Sequence, residues 1–304
     1  MRCAERRRRP GQRGGAIIVA LLLLALLAIV AATAIERFGH ALARGEGRRD
    51  HEQARLLARG AIDWARNILA DDRMRSTVDH RGEAWTLKVP PTAVDVDQVR
   101  GEIGGVIEDW SGRFNLNNLV VDGKADATAH GEFARLLVLA GCDPTRAAGL
   151  ATLLQQRLVP PGEDGARYSQ GMPLQRVEQL SALPGFDERL RGALAPWIAA
   201  LPAPSAVNAN TAPAEVLAAL IPGLGLDQAR LLATARDASW LRDRGDLAGR
   251  LPAGAELPEE SRLGVASRFF LVTGHTRYGQ AVVSLQVLLD RRQTWPDIVW
   301  QRSS

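Results

Sequence analysis

Residues 13–35 read RGGAIIVALLLLALLAIVAATAI, and the organisation of the chain follows from them. From Gly15 to Ile35 there are 21 residues with no charge. At 1.5 Å per residue a helix of that length crosses a hydrocarbon core of about 30 Å. Six arginines precede it (Arg2, Arg6, Arg7, Arg8, Arg9 and Arg13) against a single acid, Glu5. By the positive-inside rule that cluster stays cytoplasmic and the bulk of the chain lies on the far side.

Three kinds of segment have this form. One is a plain signal anchor. A second is a secretory signal cut after Ala34, because Ala32-Thr33-Ala34 has the small-x-small pattern. The third is a prepilin-type leader, cut on the cytoplasmic side after a glycine between basic tail and apolar run. Arg13-Gly14-Gly15-Ala16-Ile17-Ile18-Val19 suits it, with Gly14 or Gly15 at the cut and Ala16, Ile17, Ile18 and Val19 starting the assembly helix.

The same tail explains the charge. The 304-residue chain has a net charge of +4, which on its own points to nucleic acid. Without residues 1–14, however, 32 basic residues face 33 acidic ones and the remainder is net −1. Charged residues make up 24% and apolar residues 46%, which excludes wholesale disorder. Two cysteines exclude a disulfide scaffold, and Cys142 stands alone once Cys3 leaves with a leader. The five histidines are scattered, no Ser/His/Asp or paired-carboxylate spacing stands out, and no enzyme is expected.

Beyond Glu36 a helical stripe continues through Phe38, Leu42, Ala54, Leu57, Ala61, Trp64 and Ile68. Gly39, Gly45, Gly47 and Gly60 weaken it and suggest bending. The stripe needs a sheet to cover it. Strands are expected at Ala84–Val89, ending at Pro90-Pro91, and at Gly104–Trp110. Others come only near the far end: Arg268–Thr273, Ala281–Leu289 and Ile298–Trp300, with a turn at Gly279. The sheet is therefore split in sequence around an Ala/Leu/Arg-rich helical insertion.

Within the insertion two stretches match. Val177–Phe186 and Glu215–Leu226 each read helix, Pro-Gly turn, helix, the first continuing to Trp197 and the second to Arg236. This is the form of a helix-hairpin-helix, which holds phosphate on backbone N–H groups. The arginines there are balanced by Glu178, Asp187, Glu188, Glu215 and Asp227, and no basic stripe emerges, which argues against nucleic acid. Thr211 in Val207-Asn208-Ala209-Asn210-Thr211-Ala212-Pro213 reads as an N-cap with Pro213 in the first turn. Asp109-Trp110-Ser111-Gly112-Arg113-Phe114-Asn115-Leu116-Asn117 reads as a strand end and turn, with Gly112 at positive φ and asparagines capping the backbone that follows.

The order of these segments resembles the K-type minor pseudopilins of type II secretion over nearly the whole chain. The D-x-x-G-R-F-N-L-N and N-x-N-T-A segments carry the likeness. So does an apolar fifth mature residue (Val19 or Ala20), where most pilin-like proteins have Glu. The resemblance implies an α+β fold: a long N-terminal helix packed on a small antiparallel, pilin-like sheet, with a large all-α insertion containing helix-hairpin-helix-like repeats. The implied divisions are leader 1–14, transmembrane helix 15–35, amphipathic periplasmic helix 36–80, sheet 81–125 and 265–304, and insertion 126–264. It implies cleavage by a prepilin peptidase, most simply after Gly14. It also implies assembly with the I-type and J-type minor pseudopilins and the inner-membrane secretion machinery, as a single-pass inner-membrane protein with a periplasmic bulk. The family also carries a W-I-D-x-D run and a G-x-E-D-x-x-Y segment suited to calcium. Here Leu154–Leu158 has no carboxylate and only Glu163 and Asp164 survive, so calcium is a weak candidate and no cofactor is expected. The rival reading is a membrane-anchored helix-hairpin-helix DNA-binding protein of an uptake system.

Overall fold

The computed structural model describes residues 13–96, 99–159 and 171–303. One helix, α1 (Arg13–Arg75), runs without interruption from the apolar segment into the body. Its glycines do not interrupt it, and the helix stops five residues short of the expected 80. A single turn of 3-10 helix (Ala84–Thr86) leads to strands β1 (Val89–Val96) and β2 (Val99–Asp109). The helical lobe follows. It holds β3 (Phe114–Asn115), β4 (Val120–Val121), β5 (Lys124–Ala125), α2 (Ala127–Leu139), α3 (Pro144–Leu158), α4 (Glu188–Leu194), β6 (Ile198–Ala199), β7 (Val207–Asn208), α5 (Ala214–Leu220), α6 (Leu226–Ala238), α7 (Arg244–Arg250) and β8 (Leu263–Gly264). The chain then returns through β9 (Phe269–Tyr278), β10 (Ala281–Asp290) and β11 (Asp297–Ser303).

The five long strands form one antiparallel sheet in the order β1-β2-β9-β10-β11. The two halves of the sheet thus meet at β2–β9, Ile107 opposite Val272, although the helical lobe separates them in sequence. The turn between β9 and β10 has Gly279 at φ +54°, as the sequence led one to expect.

Both faces of the sheet are covered, so β9 begins with four consecutive buried residues instead of an alternation. On one face Phe270, Val272, Val283, Leu285, Val287 and Leu289 pack against Ala54, Ala58, Ile62, Ala65 and Leu69 of α1. Ala54 belongs to the expected stripe, but beyond it the fully buried positions lie one residue further on, at 58, 62, 65 and 69, with Leu57 and Ile68 partly buried beside them. Trp64, by contrast, is left 56% exposed. On the other face Phe269 and Leu288 meet Ala199 and Leu201 of the helical lobe.

Four local expectations are corrected. Ala84–Val89 is not a strand: Trp85 turns inward against Phe270 and its indole N–H donates to Glu83 Oε2 at 2.7 Å. The strand starts at Val89 and runs through Pro90-Pro91, which an edge strand with a register shift between Val89 and Thr92 tolerates. The insertion is not purely α, since β3 pairs with β6 and β7 with β8 in short parallel ladders. Finally, Val177–Ala182 is a 3-10 helix, and the helix after the first Pro-Gly turn ends at Leu194 instead of Trp197.

Candidate assembly surface and lobe junction

The apolar half of α1 has no partner within the described residues. Every large side chain from Ile17 to Val30 is more than half exposed, including Ile17 (63%), Ile18 (65%) and Val19 (59%). The segment is long and apolar enough to cross a membrane. A helix that is hydrophobic all round buries itself in lipid or among other helices. Gly14, Gly15 and Ala16 lie in its first turns. Residues 1–12, and with them most of the basic tail, lie outside the described residues, as do Glu163 and Asp164.

At the other end of α1, five segments distant in sequence converge where sheet and helical lobe join. Asp109 closes β2, and its Oδ2 accepts from Thr211 Oγ (2.5 Å), Ser267 Oγ (2.5 Å) and Asn208 Nδ2 (3.2 Å). Its Oδ1 accepts from the Ser111 N–H at 2.8 Å. Burial pushes Asp109 up to about 6, against the pull of the Ser267 and Thr211 hydroxyls. Thr211 is therefore not the expected N-cap; Pro213 takes that position in α5, and the hydroxyl serves the junction. Gly112 does not adopt positive φ either. A Cβ there would lie 2.6 Å from Thr211 Oγ, so its role is to let the 207–212 segment approach.

Asp79, 1% exposed, accepts from the Ser267 N–H at 2.6 Å and from Arg291, while its carbonyl accepts from Asn208 Nδ2 at 3.0 Å. Arg291 also donates to Asp72 at 2.7 Å and to the Ser267 carbonyl at 3.1 Å, and lies over the Phe270 ring. Carboxylate oxygens of Asp72, Asp79 and Glu83 lie within 4.8 Å of one another. Such a group has the composition of a hard-cation site, but Arg291 already supplies the positive charge. Burial raises Asp72, opposed by the bond from Arg291. It lifts Glu83 to about 7 although the His80 N–H and the Trp85 indole donate to it. Nothing in the spacing of these residues foretold the cluster; the nearest signal is Asp290-Arg291-Arg292 directly after an apolar strand.

The two asparagine-rich segments are structural clamps. Asn117 donates from Nδ2 to the carbonyls of Leu174 and Leu201 and accepts from the Leu174 N–H, all at 2.8 Å. Asn115 accepts from the Leu201 N–H at 3.0 Å and caps Asn117 N at 3.1 Å, the capping role expected of it. Asn210 brackets Leu241 in the same way, accepting at 2.7 Å and donating at 3.0 Å. Each amide satisfies backbone groups that burial would otherwise leave unpaired.

The Pro-Gly turns lie at the surface, and neighbouring segments engage their carbonyls. Gly185 and Gly223 have φ of +87° and +76°, the left-handed residues expected there. A Cβ on Gly223 would meet the Gly254 carbonyl oxygen at 2.1 Å, and Glu256 N donates to the Pro222 carbonyl at 3.0 Å. Residues 252–256 thus pack closely against one side of the second turn, which stays exposed on the other. The Gly185 carbonyl accepts from Arg146, which also pairs with Asp187 at 3.2 Å. A further ion cluster of three joins the lobe's ends: Arg262 donates to Asp126 (2.5 Å) and to the buried Glu132 (2.8 Å), and burial lifts Glu132 to about 7 against Arg262. Cys142 is buried, the small apolar residue expected.

Comparison with known proteins places these features in a family. Two models described as "Type II secretion system (T2SS), protein K" match residues 112–203 and 207–266, the two asparagine clamps and the helices around them. The chain is 31% identical to the type II secretion system protein K of Pseudomonas aeruginosa, over 95% of this chain and 91% of that one. It is 32% identical to the protein of the same name from Klebsiella pneumoniae, over 75% of this chain and 76% of that one. Its fold is similar to a chain in the crystal structure of the GspK-GspI-GspJ complex of enterotoxigenic Escherichia coli, with a TM-score of 0.70 at 20% identity. That match covers 86% of this chain and 99% of the other.

Proposed function

This chain belongs to the protein K family of the type II secretion system and is a minor pseudopilin; from that premise we propose that it sits at the tip of the pseudopilus and helps start the filament. The family is one of structural secretion subunits, not of enzymes. The observation that carries the reading is the fully exposed apolar half of α1, continuous with a helix half sealed against a sheet. Cleavage after Gly14 by a prepilin peptidase leaves that half on the mature protein. In the inner membrane lipid covers it, with the N-terminus cytoplasmic and the body periplasmic. In the filament the N-terminal helices of I-type and J-type minor pseudopilins cover it instead. Exchanging lipid for packed helices supplies contact without requiring bond chemistry. A tip subunit has no subunit ahead of it, so an apolar Val19 in place of an acid fits that position. The helical lobe, packed on the sheet face opposite α1, forms the cap. The inner-membrane secretion machinery would drive the exit of subunits.

The Pro-Gly turns serve the packing of the lobe, and the arginines beside them are paired with acids, Arg146 with Asp187 and Arg230 with Asp227, which leaves no basic stripe for DNA. The DNA-binding alternative is accordingly set aside. Sequencing the mature N-terminus tests the leader: a start at Gly15 or Ala16 supports it and a start at Ile35 overturns it. Co-purification with the two partner pseudopilins tests the assembly. A gel shift at low salt tests the alternative, which saturable, salt-sensitive DNA binding would restore.

A further inference from the structure

The two edges of the sheet are built differently. Edge strand β1 carries Pro90 and Pro91, which lack N–H donors and blunt it against pairing. The opposite edge, β11, has seven residues, contains no proline, and pairs with β10 alone among the described residues, with a register shift at Val299. An edge left this open is a template for another strand.

Its surroundings are not neutral. Trp300 and Arg302, two positions apart on β11, line a cleft of about 450 Å³ between the sheet and the helical lobe. Trp110, Arg113, Arg176 and Arg191 complete its basic and aromatic lining. Glu178 and Glu188 also border it, so four arginines face two acids in a chain whose body is net −1. Arg176 and Arg302 have no carboxylate partner among the described residues, whereas Arg113 lies over the Trp110 ring and 4.0 Å from Glu108. On the other side of β11, Gln301 and Ser303 face Arg55 and Arg59 of α1. Positive charge thus flanks the open edge on both faces.

We infer that β11 and the adjoining cleft bind an extended, acidic polypeptide segment, which adds to the sheet as a further strand and directs carboxylates at Arg302 and Arg176. Main-chain hydrogen bonds would supply affinity and alternate side chains would supply selectivity. The arginines pair with carboxylates in fixed geometry, and the tryptophans cover the aliphatic parts of the segment. The site is independent of the tip assignment and leaves the exposed half of α1 untouched.

The test uses the full chain in detergent micelles and a fluorescein-labelled ten-residue peptide of alternating threonine and glutamate. Fluorescence anisotropy should show saturable binding that the lysine-for-glutamate peptide lacks. Arg302→Glu, at an exposed position, should weaken binding by roughly ten-fold or more, and Arg176→Glu by a similar factor. Peptides N-methylated on one or the other alternate set of residues separate strand addition from simple charge attraction: one set should abolish binding and the other retain it. Equal binding by both methylated peptides, by the lysine peptide, or by Arg302→Glu would overturn the proposal. So would competition by free glutarate as strong as that by the peptide, which would mark a small-carboxylate site. Arg302→Glu should still co-purify with the partner pseudopilins, which keeps this result apart from the tip reading.

Discussion

Arg291 and Asp79 pair inside the protein, 3% and 1% exposed, although 212 positions separate them along the chain. The pair links the loop after α1 to the residue that follows β10, and the Ser267 carbonyl and Asp72 complete it. Replacing Arg291 by Met removes the cation that pairs with Asp72 and Asp79 and leaves a buried charge uncompensated. The expected loss is about 3–5 kcal/mol. Urea denaturation followed by tryptophan fluorescence measures it. The exposed Asp71–Arg75 pair is the control, and Arg75→Ala should be close to neutral.

Asn117→Ala removes three hydrogen bonds and strands backbone groups of Leu174 and Leu201 in the core. The expected destabilisation is about 3 kcal/mol, because each abandoned buried group carries its own desolvation cost. A thermal shift no larger than that of a surface substitution would refute the clamp.

Glycines at two kinds of position should respond in opposite directions. Gly223→Ala forces a Cβ into the Gly254 carbonyl at a φ of +76°, and should destabilise by about 2 kcal/mol or more. Gly149→Ala, at an exposed position of α3, meets nothing within 4 Å and should stabilise by about 0.5–1 kcal/mol. Midpoints of urea unfolding for the two variants decide this.

The junction carboxyls set an unusual pH dependence. Asp109 is pushed up to about 6, and Glu83 and Glu132 to about 7, all by burial. In the unfolded chain carboxyls titrate near about 4. Between those values the folded protein holds more protons than the unfolded chain, so stability falls as pH rises from about 4 to about 7. His80, lowered by burial, acts in reverse and withdraws stability as pH falls below about 6.5. Burial works against the charge of Asp290 too, but Arg268 and Arg292 outweigh it and hold the group low, so its contribution is lost only in stronger acid. With Asp72 also raised by burial, four carboxyls outweigh one imidazole, so the thermal midpoint should be higher at pH 5.5 than at pH 8. Asp109→Asn should narrow that difference, and a wild-type midpoint higher at pH 8 would contradict the assignment.

Much of the architecture could be read before folding. The 21-residue uncharged run announced a helix that must leave water. The late β-branched segments announced strands, and the Pro-Gly turns announced left-handed glycines, found at Gly185 and Gly223. What misled was local resemblance. Ala84–Val89 alternates like a strand, but the indole of Trp85 gains more by burial against Phe270 than by lying on a pleat. Thr211 has the form of an N-cap, but Asp109 offers its hydroxyl a charged acceptor. Beyond Ala54 the fully buried positions of α1 lie one residue further on than the expected stripe.

The apolar run, the turns and the split strands were legible because each depends on neighbours within one or two turns of chain, where backbone sterics and side-chain periodicity act. The carboxylate junction, the asparagine clamps and the open β11 edge became visible only in the folded protein. Their partners are brought together by the closing of the sheet at β2 and β9 across the whole helical lobe. Burial then changes the chemistry of the groups it encloses, and no spacing along a chain records which carboxyl will lose its water.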